Sequence, residues 1–287
     1  MKSEILAIVG PTASGKTELG FKLAKKEGGE IISVDSRQVY RYLSIGTAKP
    51  PKTDVPYYLI DFLEPSESFS AAAFVKLATE KVAEIRGRGK TPLFAGGTGL
   101  YYKALTEGMA ELPPADQTIR TRLKEEADGK GRTSLHKRLR QIDPEAAAKI
   151  PANNIQRLIR ALEVYELTGK PISQWHQEHR LSSASSTLSL KFIGLDIPRP
   201  ELHQRIEARC RMMIEEGMVE ETQLLLQKGF SETCPALTGL GYPRIIAMLK
   251  GTLSKEECLR LLIQDTRQYA KRQMTWFRHQ LPVEWKK

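Results

Sequence analysis

The chain is poor in cysteine and has no long apolar run, and these absences exclude several classes of protein. Its 287 residues include only Cys210, Cys234 and Cys258, which are far apart and form no C-x-x-C pair. Neither a disulfide framework nor a zinc site is therefore encoded. No apolar run approaches the roughly 20 residues of a membrane span, and no signal-peptide pattern precedes the first apolar run. We expect three buried thiols in a cytoplasmic protein that does not enter a membrane.

Acidic residues are also scarce relative to basic ones. The chain has 44 Lys and Arg against 34 Asp and Glu, which gives a formal net charge of +10. The excess lies in residues 116–190 and at the very end, in residues 265–287. This distribution favours a polyanionic partner larger than a diphosphate, although many basic proteins bind no nucleic acid.

One motif near the start of the chain indicates a phosphate site. After the apolar run Ile5–Val9, eight residues match the GxxxxGK[ST] pattern of a P-loop: Gly10, Pro11, Thr12, Ala13, Ser14, Gly15, Lys16 and Thr17. The glycines let backbone amides face a phosphate, Lys16 adds a positive charge and the Thr17 hydroxyl can bind Mg²⁺. A helical pattern follows, and the start of a helix attracts anions. We predict that residues 10–17 bind a diphosphate or a nucleotide such as ATP.

Short apolar runs alternate with helical patterns over much of the chain. The runs that we expect to form strands are Ile5–Val9, Ile31–Val34, Pro56–Ile60, Pro92–Ala95 and Phe192–Leu195. This alternation predicts an α/β fold, a P-loop NTPase-like parallel sheet flanked by helices, and the chain after the last of these runs is expected to be helical.

The middle of the chain differs because it contains no strand pattern. Residues 113–189 predict a small all-helical insertion domain, and the serine-rich residues 182–186 are expected to return the chain to the sheet. The catalytic core is then residues 1–112 together with residues 190–287.

Two further motifs follow predicted strands. Residues 35–38, Asp-Ser-Arg-Gln, come after the second strand, and residues 96–99, Gly-Gly-Thr-Gly, come after the fourth. Because the carboxyl ends of parallel strands line one crevice, we expect Asp35 beside the P-loop and Thr98 near it. A carboxylate there can bind Mg²⁺ or accept a proton from a nucleophile. Asp61, which ends the third run, is a weaker candidate for the metal.

The last predicted helix carries a basic stripe. Ser254 and Glu257 form a capping-box pattern that marks its start. Residues at helical spacing place five polar side chains on one face: Arg260, Gln264, Arg267, Lys271 and Arg278. Such a stripe is usually a solvated surface, but contact with nucleic-acid phosphates is the alternative.

Six segments together resemble the bacterial tRNA dimethylallyltransferases, the IPP transferase family. They occur in the family's order at residues 35–41, 45–50, 96–101, 156–163, 168–171 and 271–278, and the resemblance spans residues 5–279. It implies transfer of a dimethylallyl group from dimethylallyl diphosphate to the exocyclic amine of the adenine that follows the anticodon. It also implies Mg²⁺ as cofactor and the tRNA anticodon stem-loop as partner, with residues 10–17 holding the leaving diphosphate.

The resemblance implies roles for individual residues as well. Asp35 is the general base on the adenine amine, Thr98 contacts the leaving diphosphate, and Lys16 and Thr17 serve the diphosphate and its Mg²⁺. The residues implied to contact tRNA are Asp35, Ser36, Arg37, Gln38, Thr98, Arg120, Gln156, Arg157, Leu158, Ile159, Arg160, Lys271, Arg272, Gln273, Trp276 and Arg278. The chain departs from the family at Tyr57-Tyr58, where relatives usually have paired histidines, and around Gly241-Tyr242.

Two other functions fit part of the sequence. A P-loop kinase acting on a small molecule or nucleotide could use Asp35 as its base, but no arginine-rich lid is recognisable. An RNA-binding protein with a regulatory P-loop would not need Lys16, Thr17 and Thr98 intact. We therefore predict a tRNA-modifying prenyltransferase that acts as a monomer.

Overall fold

The computed structural model describes residues 4–131, 133–182 and 188–286, so most of the serine-rich segment lies outside the described residues. Residues 1–106 and 188–287 form one compact unit, and residues 107–187 form a second. These bounds differ from the expected 113–189 because the backbone amide of Leu188 donates to the carbonyl of Leu105 at 2.9 Å, which places both residues in the core unit.

The core unit is built on a parallel sheet. Its strands are β1 (Ile5–Val9), β2 (Gly29–Val34), β3 (Tyr57–Tyr58), β4 (Thr91–Gly96), β5 (Leu190–Leu195) and β6 (Val283–Lys286). Within the described residues they pair in the order β3-β2-β4-β1-β5-β6, and every pairing is parallel. Strands β1, β2 and β4 are almost entirely buried, as expected for a parallel sheet with helices on its faces. The predicted α/β class is confirmed.

Two strand predictions were wrong in detail. The third strand has only two residues instead of spanning Pro56–Ile60, because Leu59 and Asp61 have φ values of 59° and 60° and turn the chain out of the sheet. The sixth strand was not predicted at all. It is four residues long and pairs with β5 at the edge of the sheet, so its sequence carries little apolar signal.

Twelve α-helices are described in the two units. They are α1 (Lys16–Glu27), α2 (Ala71–Gly87), α3 (Gly99–Glu107), α4 (Gln117–Lys130), α5 (Thr133–Ile142), α6 (Pro144–Lys149), α7 (Ile155–Thr168), α8 (Ile172–Ser182), α9 (Arg199–Glu215), α10 (Met218–Gln227), α11 (Tyr242–Leu249) and α12 (Lys255–Gln280). Ser254 caps α12 as predicted, since its hydroxyl accepts from the Glu257 amide at 3.1 Å. None of the helices in the described ranges has the length and apolar character to span a bilayer.

The insertion, α4 to α8, is all helical, as predicted, and has its own apolar core. Leucines from three of its helices, α4, α5 and α7, meet there, among them Leu123, Leu135 and Leu158, all fully buried. Asp116 caps α4 and Asp143 caps α6, each by accepting a hydrogen bond from a backbone amide at 2.9 Å. The three cysteines are buried thiols in the core unit, as predicted.

Candidate active site

The P-loop joins the end of β1 to the start of α1. Ala13 and Gly15 have φ values of 62° and 88°, left-handed conformations that turn the loop around a central space. A side chain at Gly10 would place its Cβ 2.8 Å from the Ser14 hydroxyl oxygen, so the close turn requires glycine. The Ser14 hydroxyl is buried and has no hydrogen-bond partner among the described residues, which leaves it available to a ligand.

Lys16, the first residue of α1, has an unusual electrostatic environment. Burial and, to a smaller extent, the nearby Arg209 guanidinium together lower its pKa to about 8, while Asp35 opposes the shift. Burial also lowers the pKa of Arg209, against the influence of Asp35. Two cations and one carboxylate therefore lie close together at the P-loop, an arrangement that favours binding of an anion.

Arg209 was not predicted from the sequence. It lies on α9, where several arginines occur, and nothing in their spacing distinguishes it from residues that face solvent. Within the described part of the chain, no carboxylate pairs with its guanidinium, although Asp35 lies near enough to affect its pKa. A partly desolvated guanidinium of this kind is suited to a diphosphate.

Asp35 directly follows β2 and begins a tight turn. One of its carboxylate oxygens, Oδ1, accepts hydrogen bonds from the backbone amides of Arg37 at 2.7 Å and Gln38 at 3.2 Å. The hydroxyl of Thr98 accepts from the Ser36 amide at 3.1 Å, and the Thr98 amide donates to the carbonyl of Val34 at 3.1 Å. The motifs after β2 and β4 thus form one structure, as predicted.

The strand order corrects one expectation about this site. Strand β4 lies between β1 and β2, so the glycine-rich loop at residues 96–99 separates Asp35 from the P-loop in the sheet. Gln273 of α12 connects the two loops, because its side-chain amide accepts from the Thr12 amide and donates to the Gly97 carbonyl, both at 2.9 Å. The three predicted motifs therefore meet at the carboxyl end of the sheet.

Several residues implied to contact tRNA have other contacts in the structure. Gln273 is buried, and its side-chain oxygen and nitrogen each bond one active-site loop, so it supports these loops. Trp276 packs on the backbone of Gly99, where a Cβ would lie 2.2 Å from the indole ring. Arg37 donates to the Pro235 carbonyl at 2.6 Å. Asp61, the weaker candidate for the metal, pairs with Lys49 at 2.7 Å instead of joining the site.

The basic stripe of α12 does share one face, as predicted. Its five residues line a groove of about 1220 Å³ between α9 and α12. Arg278 pairs with Asp196 and Arg267 with Glu207, each at 3.0 Å. Arg272 lies outside this groove and packs over the ring of Tyr269 at 5.9 Å.

The insertion presents its predicted tRNA contacts on α4 and α7. Arg120 and Arg160 both pair with the buried carboxylate of Glu163, at 2.8 Å and 2.6 Å. Burial opposes ionisation of Glu163, but the hydrogen bonds from both arginines hold its pKa below the ordinary value. Along α7, Gln156 and Arg157 are exposed and Ile159 is half-buried. Leu158 is fully buried, and its side chain packs in the insertion core.

The donor atoms at the P-loop are compatible with a bound Mg²⁺. Among the described residues, no group of three or more His, Cys, Asp or Glu side chains could hold a metal. Mg²⁺ commonly takes only one or two protein ligands and completes its octahedron with substrate phosphates and water. The Thr17 position and the unpartnered Ser14 hydroxyl therefore fit a Mg²⁺ that is held mainly by a diphosphate.

Comparison with known proteins agrees with this geometry. The sequence model of the family described as IPP transferase matches residues 38–280, and one described as isopentenyl transferase matches residues 3–59. A tRNA dimethylallyltransferase of Geobacter sulfurreducens is 44% identical over 287 residues, covering 99% of this chain and 92% of that protein.

Two solved structures have the same fold. The tRNA isopentenylpyrophosphate transferase of Bacillus halodurans superimposes with a TM-score of 0.72 at 41% identity, covering 99% of this chain and 90% of that chain. A eukaryotic dimethylallyltransferase acting on tRNA superimposes with a TM-score of 0.77 at 28% identity, covering 96% of this chain and 70% of that chain. These matches confirm the resemblance seen in the sequence, and the chain belongs to the IPP transferase family of tRNA dimethylallyltransferases.

Proposed function

We infer that this protein transfers a dimethylallyl group from dimethylallyl diphosphate to the exocyclic amine of the adenine that follows the anticodon in tRNA. The observation that carries this inference is the grouping of Lys16, Arg209 and Asp35 at the P-loop. Such a site has cations for a leaving diphosphate and a carboxylate for a proton. Membership of the family supports a transferase rather than a kinase.

In the transfer step, a C–N bond to the dimethylallyl carbon forms as its C–O bond to the diphosphate breaks. An aromatic amine is a weak nucleophile, so a positioned base assists by accepting its proton. We assign this role to Asp35, whose Oδ1 is held by two backbone amides, while no described residue donates to its second oxygen. The departing diphosphate gains negative charge next to Lys16, Arg209 and the P-loop amides.

Thr17 and Ser14 are the P-loop hydroxyls that would hold Mg²⁺ together with the diphosphate. Bound there, the metal would neutralise charge that develops on the leaving group. Thr98 fixes the turn that carries Asp35. We also assign it a contact with the leaving diphosphate.

The tRNA would be bound through phosphates and would present an extruded base. An adenine stacked in the anticodon loop must leave the stack before its amine can reach Asp35. Basic side chains of the α12 stripe and of α4 and α7 in the insertion supply the charge for backbone contact. A tRNA substrate also supports the cytoplasmic location expected from the sequence.

A labelled-transfer assay tests this function. Purified protein, Mg²⁺, labelled dimethylallyl diphosphate and tRNA that lacks the modification should give labelled tRNA. Consumption of ATP with no label in the tRNA would refute the transferase and indicate a kinase. Mass spectrometry of the digested tRNA should locate the added group on the adenine next to the anticodon.

Two substitutions test the assigned base. Asp35→Ala should abolish transfer while tRNA affinity is kept, because Asp35 acts on the proton and not on the phosphate backbone. Asp54→Asn, at an exposed carboxylate that pairs with Lys25, is the matched control and should transfer normally. Loss of tRNA binding together with activity in Asp35→Ala would mean that Asp35 is structural.

A further inference from the structure

Glu221, on α10, is a buried carboxylate with no cationic partner among the described residues. Its Oε2 accepts from the amides of Ser44 at 2.5 Å and Ile45 at 2.8 Å. Its Oε1 accepts from the amide of Gly46 at 3.0 Å and from the hydroxyl of Tyr242 at 2.9 Å. Three consecutive amides and a phenol thus satisfy both oxygens, which offsets the cost of burying the group.

The loop that Glu221 holds leads directly to the Asp35 turn. The side-chain amide of Gln38 donates to the carbonyls of Thr47 at 3.2 Å and Ala48 at 3.1 Å. Its carbonyl oxygen accepts from the Ser33 hydroxyl at 3.0 Å, and its backbone amide donates to Asp35. The Ala48 amide donates to the Ile45 carbonyl at 2.9 Å, which closes residues 45–48 into a turn. This turn and Gln38 therefore connect Glu221 to the carboxylate of the proposed base.

Packing around Glu221 leaves little room for movement of this loop. A Cβ at Gly46 would lie 2.4 Å from the Tyr242 hydroxyl and 2.6 Å from the terminal methyl of Met218. Ala48 has a left-handed conformation with φ of 46°, which the bonds from Gln38 hold in place. Two motifs of the sequence that the mechanism leaves unused, residues 45–50 and Gly241-Tyr242, meet at this carboxylate.

We propose that Glu221 is a positioning residue for the transfer step. Through residues 44–48 and Gln38, it fixes the position of the Asp35 carboxylate. The inference rests on the proposed role of Asp35 as the base. Because Glu221 touches neither the P-loop nor the α12 stripe, its effect is expected in kcat and not in the binding of either substrate.

The test is Glu221→Gln, with Glu220→Gln as the matched control, since Glu220 is the neighbouring but exposed glutamate of the same helix. Glutamine keeps the size of the side chain but turns an NH₂ group toward an amide that needs an acceptor. A displacement of the base by about 1 Å lowers rates by up to ~100-fold, so we expect kcat to fall about 10- to 100-fold with both KM values unchanged. Hydrogen–deuterium exchange at residues 44–46 should accelerate in this variant and not in the control.

A second variant covers the case in which Glu221→Gln does not fold. Tyr242→Phe removes only one of the four donors and leaves the carboxylate in place, so kcat should fall by a smaller factor in a folded protein. A wild-type kcat in either folded variant, or a raised KM with unchanged kcat, would overturn the proposal.

Asp35→Ala is measured in parallel to separate the two inferences. If Asp35→Ala is inactive and Glu221→Gln is fully active, the positioning role of Glu221 is refuted and the role of Asp35 as base stands. If Asp35→Ala still transfers the dimethylallyl group, Asp35 is not the base, and the positioning role proposed for Glu221 is refuted with it.

Discussion

The side chain of Gln273 accepts a hydrogen bond from the backbone amide of Thr12 at 2.9 Å, which fixes the last helix directly to the P-loop. The same side chain donates to the Gly97 carbonyl, so one amide group holds two active-site loops that are far apart in sequence. The geometry of the diphosphate site therefore depends on a residue 261 positions after the loop that binds the phosphate.

Gln273→Met should disturb the diphosphate site specifically. Methionine has a similar size but can replace neither hydrogen bond, and a buried group left without a partner costs about 1–3 kcal/mol. We expect a higher KM for dimethylallyl diphosphate, a lower kcat and unchanged tRNA affinity in steady-state kinetics. Gln268→Met, at an exposed glutamine of the same helix, is the control. Equal KM values for the two variants would contradict the assigned role of Gln273.

Binding of the diphosphate should take up a proton near pH 8. With a pKa of about 8, Lys16 carries its ammonium charge below that pH and loses it above. A bound anion favours the charged form, so the KM for dimethylallyl diphosphate should rise as pH increases through 8. Calorimetric titration in two buffers of different ionisation enthalpy measures the uptake. Identical binding enthalpies in the two buffers would show that Lys16 is already charged.

Gly99→Ala should destabilise the core unit. The added methyl would lie 2.2 Å from the Trp276 ring, and forcing an extra carbon into such a contact costs about 1–3 kcal/mol. Trp276→Ala in the same chain should relieve part of that cost, giving a non-additive double-mutant cycle in urea unfolding. Gly129→Ala on α4, where an added methyl meets nothing within 4 Å, should not destabilise the protein. Additive effects of the Gly99 and Trp276 substitutions would disprove the contact.

Arg157→Ala and Lys271→Ala should each weaken tRNA binding without loss of stability. Each substitution removes one cation that forms no ion pair with the described residues. Loss of one phosphate contact reduces the steepness of the plot of log K for tRNA against log salt concentration by about 1. Filter binding over a series of salt concentrations gives the slope. Lys22→Ala, at an exposed lysine on α1, is the control. A wild-type slope in Lys271→Ala would make the stripe an ordinary solvated surface.

Motifs that specify a local backbone conformation could be recognised from the sequence. The P-loop, the Asp35 turn and the glycine-rich loop each follow a strand, so the rule for parallel sheets brought them together correctly. The position of β4 between β1 and β2 could not be predicted because it depends on which strands pair across long stretches of chain.

Residue roles that depend on contacts between distant parts of the sequence could not be predicted either. Arg209 looks like any other arginine of α9 until burial and the neighbouring Lys16 are known. The basic stripe of α12 was predicted from helical spacing, but Gln273, on another face of that helix, owes its role to Thr12 and Gly97. Leu158 lies in a segment predicted to contact tRNA, yet its side chain is buried in the insertion core.

The hydrogen bond between Leu105 and Leu188 makes the insertion separable from the core. The chain leaves the core unit near Leu105 and re-enters it at Leu188, and these two residues are hydrogen-bonded to each other. A short turn could therefore join them without moving a strand. Lengthening or shortening such a loop changes closure entropy only slowly. Other helical insertions could thus be exchanged at this junction as complete modules while the core unit is kept.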